Sequence, residues 1–298
     1  MKIRIGFGLG ARTGVDSQAR FRQMVDELER LGFDSLWVSE RLSAPGPDPV
    51  VAMAMAAART ERLKIGMSVM VLPGRNPVVV AKELASLDVL SDGRLLPAFG
   101  LGAANAVEHQ AFGVQRSERA RIFDESLALM RRLWTEDHVT HQGERFDVTD
   151  VTIRPKPLQS PLEVWLGGIA PSELRRVGRL ADGWLPSFVT VADVERGIPE
   201  VASIAAAHDR AIDPEHYGVL IPYATHPVDD AVLALLAQRR PEVDPTELVA
   251  TSLEQLVSMI ERFVSVGASK FVAVPFAPLE DIAAELGELS EAVRPLEN

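Results

Sequence analysis

The residues best suited to acid–base chemistry form one adjacent pair. Glu40 and Arg41 follow a compact apolar stretch, residues 35–39, that is typical of a buried strand. A carboxylate at such a strand end can give or take a proton once burial raises its pKa toward the working pH. Glu40 is therefore a candidate proton relay, and a structural Glu40–Arg41 ion pair is the alternative.

Other catalytic chemistries lack the residues they need. The chain has no cysteine, which excludes disulfides, thiolate metal sites and a cysteine nucleophile. Its serines lack the GxSxG pattern of α/β-hydrolases. We expect no metal site, because the six histidines show no HExxH motif and no carboxylates at ligand spacing: His109, His138, His141, His208, His216 and His226. Redox chemistry would therefore need a bound cofactor.

Residues 6–11, GFGLGA, contain the GxGxxA spacing of a dinucleotide fingerprint. In a true fingerprint the helix opens on the glycines, so that the pyrophosphate meets the helix N-terminus. Here the helical pattern begins only near Ala19. The glycines are therefore interpreted as allowing a ligand to approach the strand end, and not as a nicotinamide site.

A second anion-binding pattern lies at Ala170-Pro171-Ser172-Glu173, which opens a helix directly after Gly167-Gly168. The free N–H groups of a helix N-terminus can hold a phosphate. The same residues also fit an ordinary capped helix start. The sequence leaves both interpretations open.

Charge and hydropathy exclude two classes of partner. The chain carries 31 Lys and Arg against 42 Asp and Glu, a formal net charge of −11, which opposes binding to nucleic acid or anionic membranes. There is no run of about 18 apolar residues and no apolar signal segment in residues 1–10. We expect a cytoplasmic protein that acts on a small molecule.

The elements that must position these residues alternate along the 298-residue chain. Apolar strand patterns at 3–8, 35–39, 63–71, 95–101, 162–166, 183–186, 217–223 and 270–274 are each followed by a helical pattern. Residues 138–157 break this rhythm with a predicted hairpin around Gly143. Eight such units predict an α/β fold of the (β/α)8 TIM-barrel type, in one domain over 1–298 with 138–157 inserted after the fourth unit. A doubly wound sheet is the alternative.

A barrel of this type would place the site at the carboxyl ends of its strands. The residues predicted there are poor in charge and rich in glycine, small residues and aromatics. Such a lining suits a flat ring better than a metal or a hydrolytic triad.

Several motifs together resemble the luciferase-like monooxygenase family, and among its branches the actinobacterial F420-dependent oxidoreductases. The most specific part is residues 64–73, KIGMSVMVLP, followed by Arg75-Asn76-Pro77 and by residues 81–94, AKELASLDVLSDGR. Glu118-Arg119, Pro155-Lys156-Pro157 and Ala181-Asp182-Gly183-Trp184 add to the likeness. The resemblance covers nearly the whole chain and implies a bacterial-luciferase-like barrel.

The resemblance also implies a cofactor site. It places a non-prolyl cis peptide at Ser68–Val69, in a bulge that backs the central ring of coenzyme F420, with FMN as the alternative coenzyme. It implies that the contacts to ring or tail come from Ser39, Glu40, Ser68, Val69, Val71, Gly100, Leu101, Gly102, Ala103, Gly168, Ile169, Ala170 and Pro171. No metal ligand is among them.

The chain departs from the family pattern in two places. Relatives often have Asp-His at the end of the second strand where this chain has Ser39-Glu40, so the proton-relay role falls to the carboxylate of Glu40. Relatives commonly have Glu and Asn where Ala103 and Ala106 stand here. The second departure argues against a sugar-phosphate substrate.

The resulting hypothesis is an F420-dependent oxidoreductase that exchanges a hydride between the coenzyme and a small organic substrate. One alternative is an FMN-dependent monooxygenase that uses O2 and takes reduced flavin from a separate reductase. A second is a coenzyme-binding barrel without turnover. The resemblance to such relatives also implies that this protein forms a homodimer.

Overall fold

The computed structural model describes residues 1–102, 105–225 and 228–297. Its strands are β1 (Arg4–Leu9), β2 (Ser35–Val38), β3 (Lys64–Met67), β4 (Met70–Val71), β5 (Leu95–Leu96), β6 (Ala98–Gly100), β7 (Val139–Gln142), β8 (Asp147–Val151), β9 (Trp165–Leu166), β10 (Gly183–Trp184), β11 (Gly218–Tyr223) and β12 (Lys270–Pro275). Its α-helices are α1 (Gln18–Leu31), α2 (Pro49–Ala57), α3 (Pro77–Leu90), α4 (Ala106–Ala111), α5 (Arg119–Thr135), α6 (Pro171–Leu180), α7 (Val191–Ala206), α8 (Asp230–Arg239), α9 (Leu253–Ser265) and α10 (Ile282–Val293).

The parallel pairings run from strand to strand around a ring. One sheet has the order β11-β12-β1-β2-β3-β5 and a second has the order β10-β9-β6-β4. The third barrel strand is shared between them because β3 pairs with β5 and β4 pairs with β6. Isolated bridges from Trp184 to Tyr217 and from Ser187 to Leu220 join β10 to β11. The chain thus has the predicted arrangement of a luciferase-like (β/α)8 barrel.

Local sequence signals set where the helices begin and end. The Asn76 side chain accepts hydrogen bonds from the amides of Val78 and Val79, and Pro77 takes the first helical position of α3. Asp48 and Pro49 start α2 in the same way. Gly32 ends α1 with a φ of 80°, a conformation that glycine adopts without steric cost.

The predicted insertion is an antiparallel hairpin of β7 and β8. Glu125 of α5 fastens it, because its carboxylate accepts hydrogen bonds from the amides of Arg145 and Phe146 and lies 3.2 Å from His141 Nε2. The limits of a single domain over 1–298 stay a prediction.

Some predicted boundaries are wrong. The fifth strand covers only Trp165–Leu166 of the predicted 162–166, and the predicted run 63–71 is divided into β3 and β4. The short helix α4 has no counterpart among the predicted elements. None of the described helices is both long and apolar enough to cross a membrane.

Candidate active site

The predicted contact residues lie together at the carboxyl ends of the barrel strands, a region we call the mouth. Among them the partly or fully exposed ones are Ser39, Ser68, Val69, Gly100, Leu101, Gly102, Gly168, Ile169, Ala170 and Pro171, whereas Glu40 and Val71 are buried. Most of the strand residues that precede them are buried. Ala103 lies outside the described residues. The mouth therefore exposes backbone and small uncharged side chains at the places that the resemblance implied.

The third barrel strand is interrupted at the mouth between β3 and β4. Its Ser68–Val69 peptide bond is cis, as the resemblance implied. The Ser39 hydroxyl donates to the Ser68 carbonyl oxygen at 3.1 Å, and the Glu40 amide donates to the Val69 carbonyl oxygen at 3.4 Å. Two consecutive residues after β2 therefore hold the interrupted segment in place.

Glu40 is buried and has partners for both carboxylate oxygens. Its Oε2 accepts from the Val71 amide at 2.6 Å, and its Oε1 pairs with the guanidinium of Arg75. Burial raises the pKa of Glu40, opposed by the Val71 hydrogen bond and by the charge of Arg75. Each carboxylate oxygen keeps a further lone pair, so proton exchange with a ligand depends on access to this buried group.

The alternative that Glu40 pairs with Arg41 is wrong. Arg41 Nε lies 3.2 Å from Oε1 of Glu108 on α4, and Glu40 pairs with Arg75 from the following strand–helix connection. Consecutive side chains in extended backbone point in opposite directions, which separates the two neighbours.

The glycines at the end of β6 and directly after it, Gly100 and Gly102, make room for the third strand. A Cβ on Gly100 would lie 2.5 Å from Val69 Cγ2, and one on Gly102 would lie 3.0 Å from Val71 Cγ1. Gly102 also has a φ of 81°, which side chains rarely tolerate. Arg119 at the start of α5 donates to the carbonyl oxygens of Leu101 and Gly102 at 3.1 and 2.9 Å. These contacts fix the path of the loop at the mouth.

The start of α6 is capped by its own carboxylate. Glu173 Oε2 accepts from the amides of Ile169 at 3.0 Å and Ala170 at 2.9 Å. Of the two interpretations of this segment, the capped helix start is therefore the one present. A phosphate held here would have to displace Glu173, and Gly168, Ile169, Ala170 and Pro171 stay predicted cofactor contacts.

The interpretation of the first glycine motif needs a correction. A Cβ on Gly6 would clash with Ser35, and one on Gly8 would clash with Val274. These glycines serve packing between neighbouring strands, and only Gly10 faces the end of the barrel near a cleft lined by Ser39 and Arg41. Because α1 begins at Gln18, the motif does not open a helix, as predicted.

Metal chemistry has no ligand set in the part of the chain that the structure describes, where no three His, Asp or Glu side chains group as metal ligands do. His226 lies outside this part. The functional features at the mouth are therefore backbone, small side chains and a few ion-paired groups.

Comparison with known proteins gives the family. The family model of the luciferase-like monooxygenases matches residues 2–265. The chain belongs to this family. The assignment makes this luciferase-like protein an oxidoreductase, and it agrees with the motifs in residues 64–94.

Curated relatives of this family member include dehydrogenases and a monooxygenase, the limonene 1,2-monooxygenase of Rhodococcus erythropolis, which is 30% identical over 63% of this chain and 51% of the relative. The chain is 35% identical over 180 residues to an F420-dependent glucose-6-phosphate dehydrogenase of Intrasporangium calvum, a match that spans 55% of this chain and 53% of the relative. It is 27% identical over 307 aligned positions to the protein of the same name from Amycolatopsis mediterranei, spanning 90% and 91% of the two chains.

Solved structures agree on the fold of this luciferase-like chain. An F420-dependent secondary alcohol dehydrogenase in complex with an F420-acetone adduct superposes with a TM-score of 0.84 at 21% identity, covering 100% of both chains. The oxygenating constituent of 3,6-diketocamphane monooxygenase from Pseudomonas putida, in complex with FMN, gives 0.75 at 16% identity, covering 98% and 97%.

Sequence reasoning missed three groups at or near the mouth. Arg75 stands in the quoted Arg75-Asn76-Pro77 motif but received no role, although it pairs with Glu40. Glu108 has no local signal, since its helix is short and follows a glycine-rich loop. The position of α8 relative to the mouth depends on contacts that no local pattern encodes.

Proposed function

We propose that this chain is an F420-dependent oxidoreductase that exchanges a hydride between the coenzyme and a small organic substrate. The observation that carries the proposal is the mouth itself. Its exposed residues, including Ser39, Val69, Gly100 and Gly102, are small or uncharged and lie at one end of the barrel. A flat ring can lie against such a surface, which offers neither a metal site nor a nucleophile. The two dehydrogenase relatives described above are named for the same coenzyme.

The coenzyme would supply hydride transfer, and the chain would supply position and proton handling. The half-exposed residues of the interrupted third strand, Ser68 and Val69, would support the ring. Gly100 and Gly102 keep the fourth strand close to it, because larger residues there would collide with the valines of the third strand.

Glu40 is proposed as the proton relay. Its raised pKa brings the carboxyl group closer to neutral pH, which suits a group that must hold a proton in one step and release it in another. Arg75 favours the ionised form, and Glu40 would therefore act first as a base. In alcohol oxidation it would accept the proton of the hydroxyl oxygen, while the carbon that bears this oxygen would give a hydride to the oxidised coenzyme and become a carbonyl carbon.

The second candidate is an FMN-dependent monooxygenase. The structural likeness to a protein in complex with FMN favours it, although that likeness shows the fold alone. This candidate needs O2 and a separate reductase that delivers reduced flavin. A homodimer is proposed for either candidate.

The test is a binding titration of the purified protein with F420 and, separately, with FMN, followed by coenzyme fluorescence and tryptophan quenching. A matched pair of variants locates the site. Ala170→Trp adds an indole to an exposed residue of the mouth, and Val51→Trp adds the same indole to α2, where Val51 is 66% exposed.

We expect micromolar affinity for F420, at least tenfold weaker binding in Ala170→Trp and unchanged binding in Val51→Trp. Preference for FMN, with oxygen consumption by the reduced form, would replace the proposal by the monooxygenase. Binding of neither coenzyme would contradict both and favour a barrel without turnover.

A further inference from the structure

The segment between β11 and α9, in its described residues 228–252, packs beside the mouth. Its helix α8 and the turn after it form a separate apolar cluster of Val232, Leu236, Leu248 and Val249. Two phenylalanines from barrel connections pack against this cluster, Phe188 after β10 and Phe276 after β12. Side chains of α8 are therefore brought to the carboxyl ends of the sixth and eighth barrel strands.

Arg240 fastens the end of α8 to the barrel. Its Nη1 donates to the Phe188 carbonyl oxygen at 2.7 Å, and its Nη2 lies 3.0 Å from a carboxylate oxygen of Asp193. The Arg240 side chain is only 11% exposed. These contacts fix the backbone position of the preceding residue, Arg239.

Two arginines lie on a pair of aromatic rings beside this helix. The Arg239 guanidinium carbon lies 4.4 Å from the centroid of Phe188, and that of Arg12 lies 5.6 Å from the centroid of Phe276. The two rings meet edge to face with centroids 6.3 Å apart. Neither arginine lies within 4.0 Å of an acidic oxygen in residues 1–102, 105–225 and 228–297. Stacking on a ring leaves the N–H donors at the edge of a guanidinium available.

The charged groups that affect Arg239 include a further arginine and a carboxylate. Burial and the positive charge of Arg41 lower the pKa of Arg239, partly opposed by Glu173. Arg41 is itself held by Glu108 and lines the cleft next to Gly10. Like charges repel when brought together, and this chain has a net charge of −11 with many acids available as partners. An unpaired cationic group in such a chain fits a site whose anion comes from a ligand.

We propose that Arg239 and Arg12 form an oxyanion subsite that binds a carboxylate or phosphate group of the substrate. Planar guanidinium groups bind both anions through paired N–H donors. The assignment of the anion to the substrate rests on the proposed function, because it assumes a coenzyme ring at the mouth. It also makes the substrate acidic without making it a sugar.

The test measures anion binding without coenzyme. Inorganic phosphate and, separately, acetate are titrated calorimetrically into the wild-type protein and into Arg239→Met and Arg12→Met at low ionic strength. Arg22→Met on α1 is the matched control, because Arg22 is an exposed arginine of a helix, whereas Arg239 and Arg12 stack on Phe188 and Phe276. Arg239→Lys keeps the charge but loses the planar donor pair, and thermal unfolding checks that each variant is folded.

We expect phosphate or acetate to bind the wild type and Arg22→Met equally, and about tenfold more weakly in Arg239→Met and Arg12→Met. The anion affinity of Arg239→Lys should lie between that of the wild type and that of Arg239→Met. The preferred anion tells phosphate from carboxylate. Equal anion affinity in all variants, or no binding of either anion to the wild type, would overturn the proposal.

A coenzyme titration of the same variants separates this proposal from the function it rests on. If Arg239→Met weakens F420 binding as much as phosphate binding, the anion belongs to the coenzyme and the substrate assignment is wrong. If the wild type binds neither F420 nor FMN but its phosphate affinity still depends on Arg239, the proposed function fails and the oxyanion subsite stands.

Discussion

The ion pair of Asp34 at the amino ends of the strands gives the sharpest stability prediction. Asp34 accepts from Lys270 Nζ at 2.7 Å and from Lys64 Nζ at 3.1 Å, and the Lys270 side chain is 4% exposed, between the rings of Trp37 and Trp165. Burial raises the pKa of Asp34, but the charges of Lys270 and Lys64 and their hydrogen bonds outweigh it and lower the pKa from 3.8 to about 2.

We expect Asp34→Asn to lower the free energy of unfolding at pH 7 by about 3 kcal/mol. The difference between 3.8 and about 2, at about 1.36 kcal/mol for each pH unit, corresponds to roughly 2.5 kcal/mol. A second estimate of the same loss comes from Lys270, because leaving one partner of a fully buried ion pair without the other costs about 3–5 kcal/mol. Because the second cation, Lys64, is 40% exposed, we take the lower end of that range.

The pH dependence has a definite sign. Asp34 has a lowered pKa in the folded state, so its contribution is complete above about pH 4 and is lost as the pH falls toward about 2. The stability gap between the wild type and Asp34→Asn should therefore be constant from pH 7 to about pH 4.5. At about pH 3 roughly half of the contribution from the lowered Asp34 pKa should remain, and the gap should be narrower by the other half.

Urea denaturation at pH 7, 5, 4 and 3 measures this gap. Asp26→Asn is the control, because Asp26 pairs with Arg59 at the surface, is 48% exposed and should lose less than about 1 kcal/mol. Asp34→Asn/Lys270→Met should recover part of the loss, since no buried charge is left unpaired. A loss below about 1 kcal/mol at pH 7, or a gap as wide at pH 3 as at pH 7, would refute the reasoning.

Three further predictions concern the mouth and the helices. Glu40→Gln should lower turnover at least about tenfold and leave coenzyme affinity within about twofold of the wild type. A base with a raised pKa loses activity as the pH falls through that pKa, so the wild type should show an acid limb above pH 4.5 that the variant lacks. An unchanged pH profile would exclude Glu40 as the relay. The Arg119 guanidinium holds the carbonyl oxygens of Leu101 and Gly102, which the ammonium group of a lysine cannot do in the same planar geometry. In a coenzyme titration Arg119→Lys should therefore bind severalfold more weakly, with a nearly unchanged melting temperature. Unchanged affinity would show that the loop does not need these hydrogen bonds. Gly197→Ala should lower the free energy of unfolding by about 1–3 kcal/mol, because the added Cβ would meet the rigid ring of Trp184. Gly287→Ala in α10 should raise it by roughly 0.5–1 kcal/mol, because the space around Gly287 is open. Equal effects of the two substitutions in urea denaturation would contradict this account.

The alternation of strands and helices was predictable because it is local. Apolar runs bounded by caps, such as Asn76-Pro77 before α3, report burial and helix starts within a few residues. The hairpin around Gly143 was predictable for the same reason, since it breaks the period. Boundaries were predicted less well. The short strand β9 and the six-residue helix α4 have too few residues for a period to show.

The partners of the ionisable groups were not predictable in this way. The sequence offered Arg41 as the neighbour of Glu40, yet the partner is Arg75, which is 35 positions along the chain. Adjacent strands bring distant residues within hydrogen-bond distance, whereas adjacent residues in extended backbone diverge. The same cause hid the contact between Arg41 and Glu108 and the approach of α8 to Phe188.

The sequence by itself determined that this chain alternates strands and helices, needs a borrowed cofactor for redox chemistry and carries small residues at the strand ends. Only the tertiary structure decided which charged groups neutralise one another and which remain for a ligand. The physical reason is the distance along the chain over which each kind of interaction acts. Hydrophobic period and capping act over one or two helical turns, whereas a salt bridge depends on where whole strands and helices lie, and that position depends on the packing of the whole barrel.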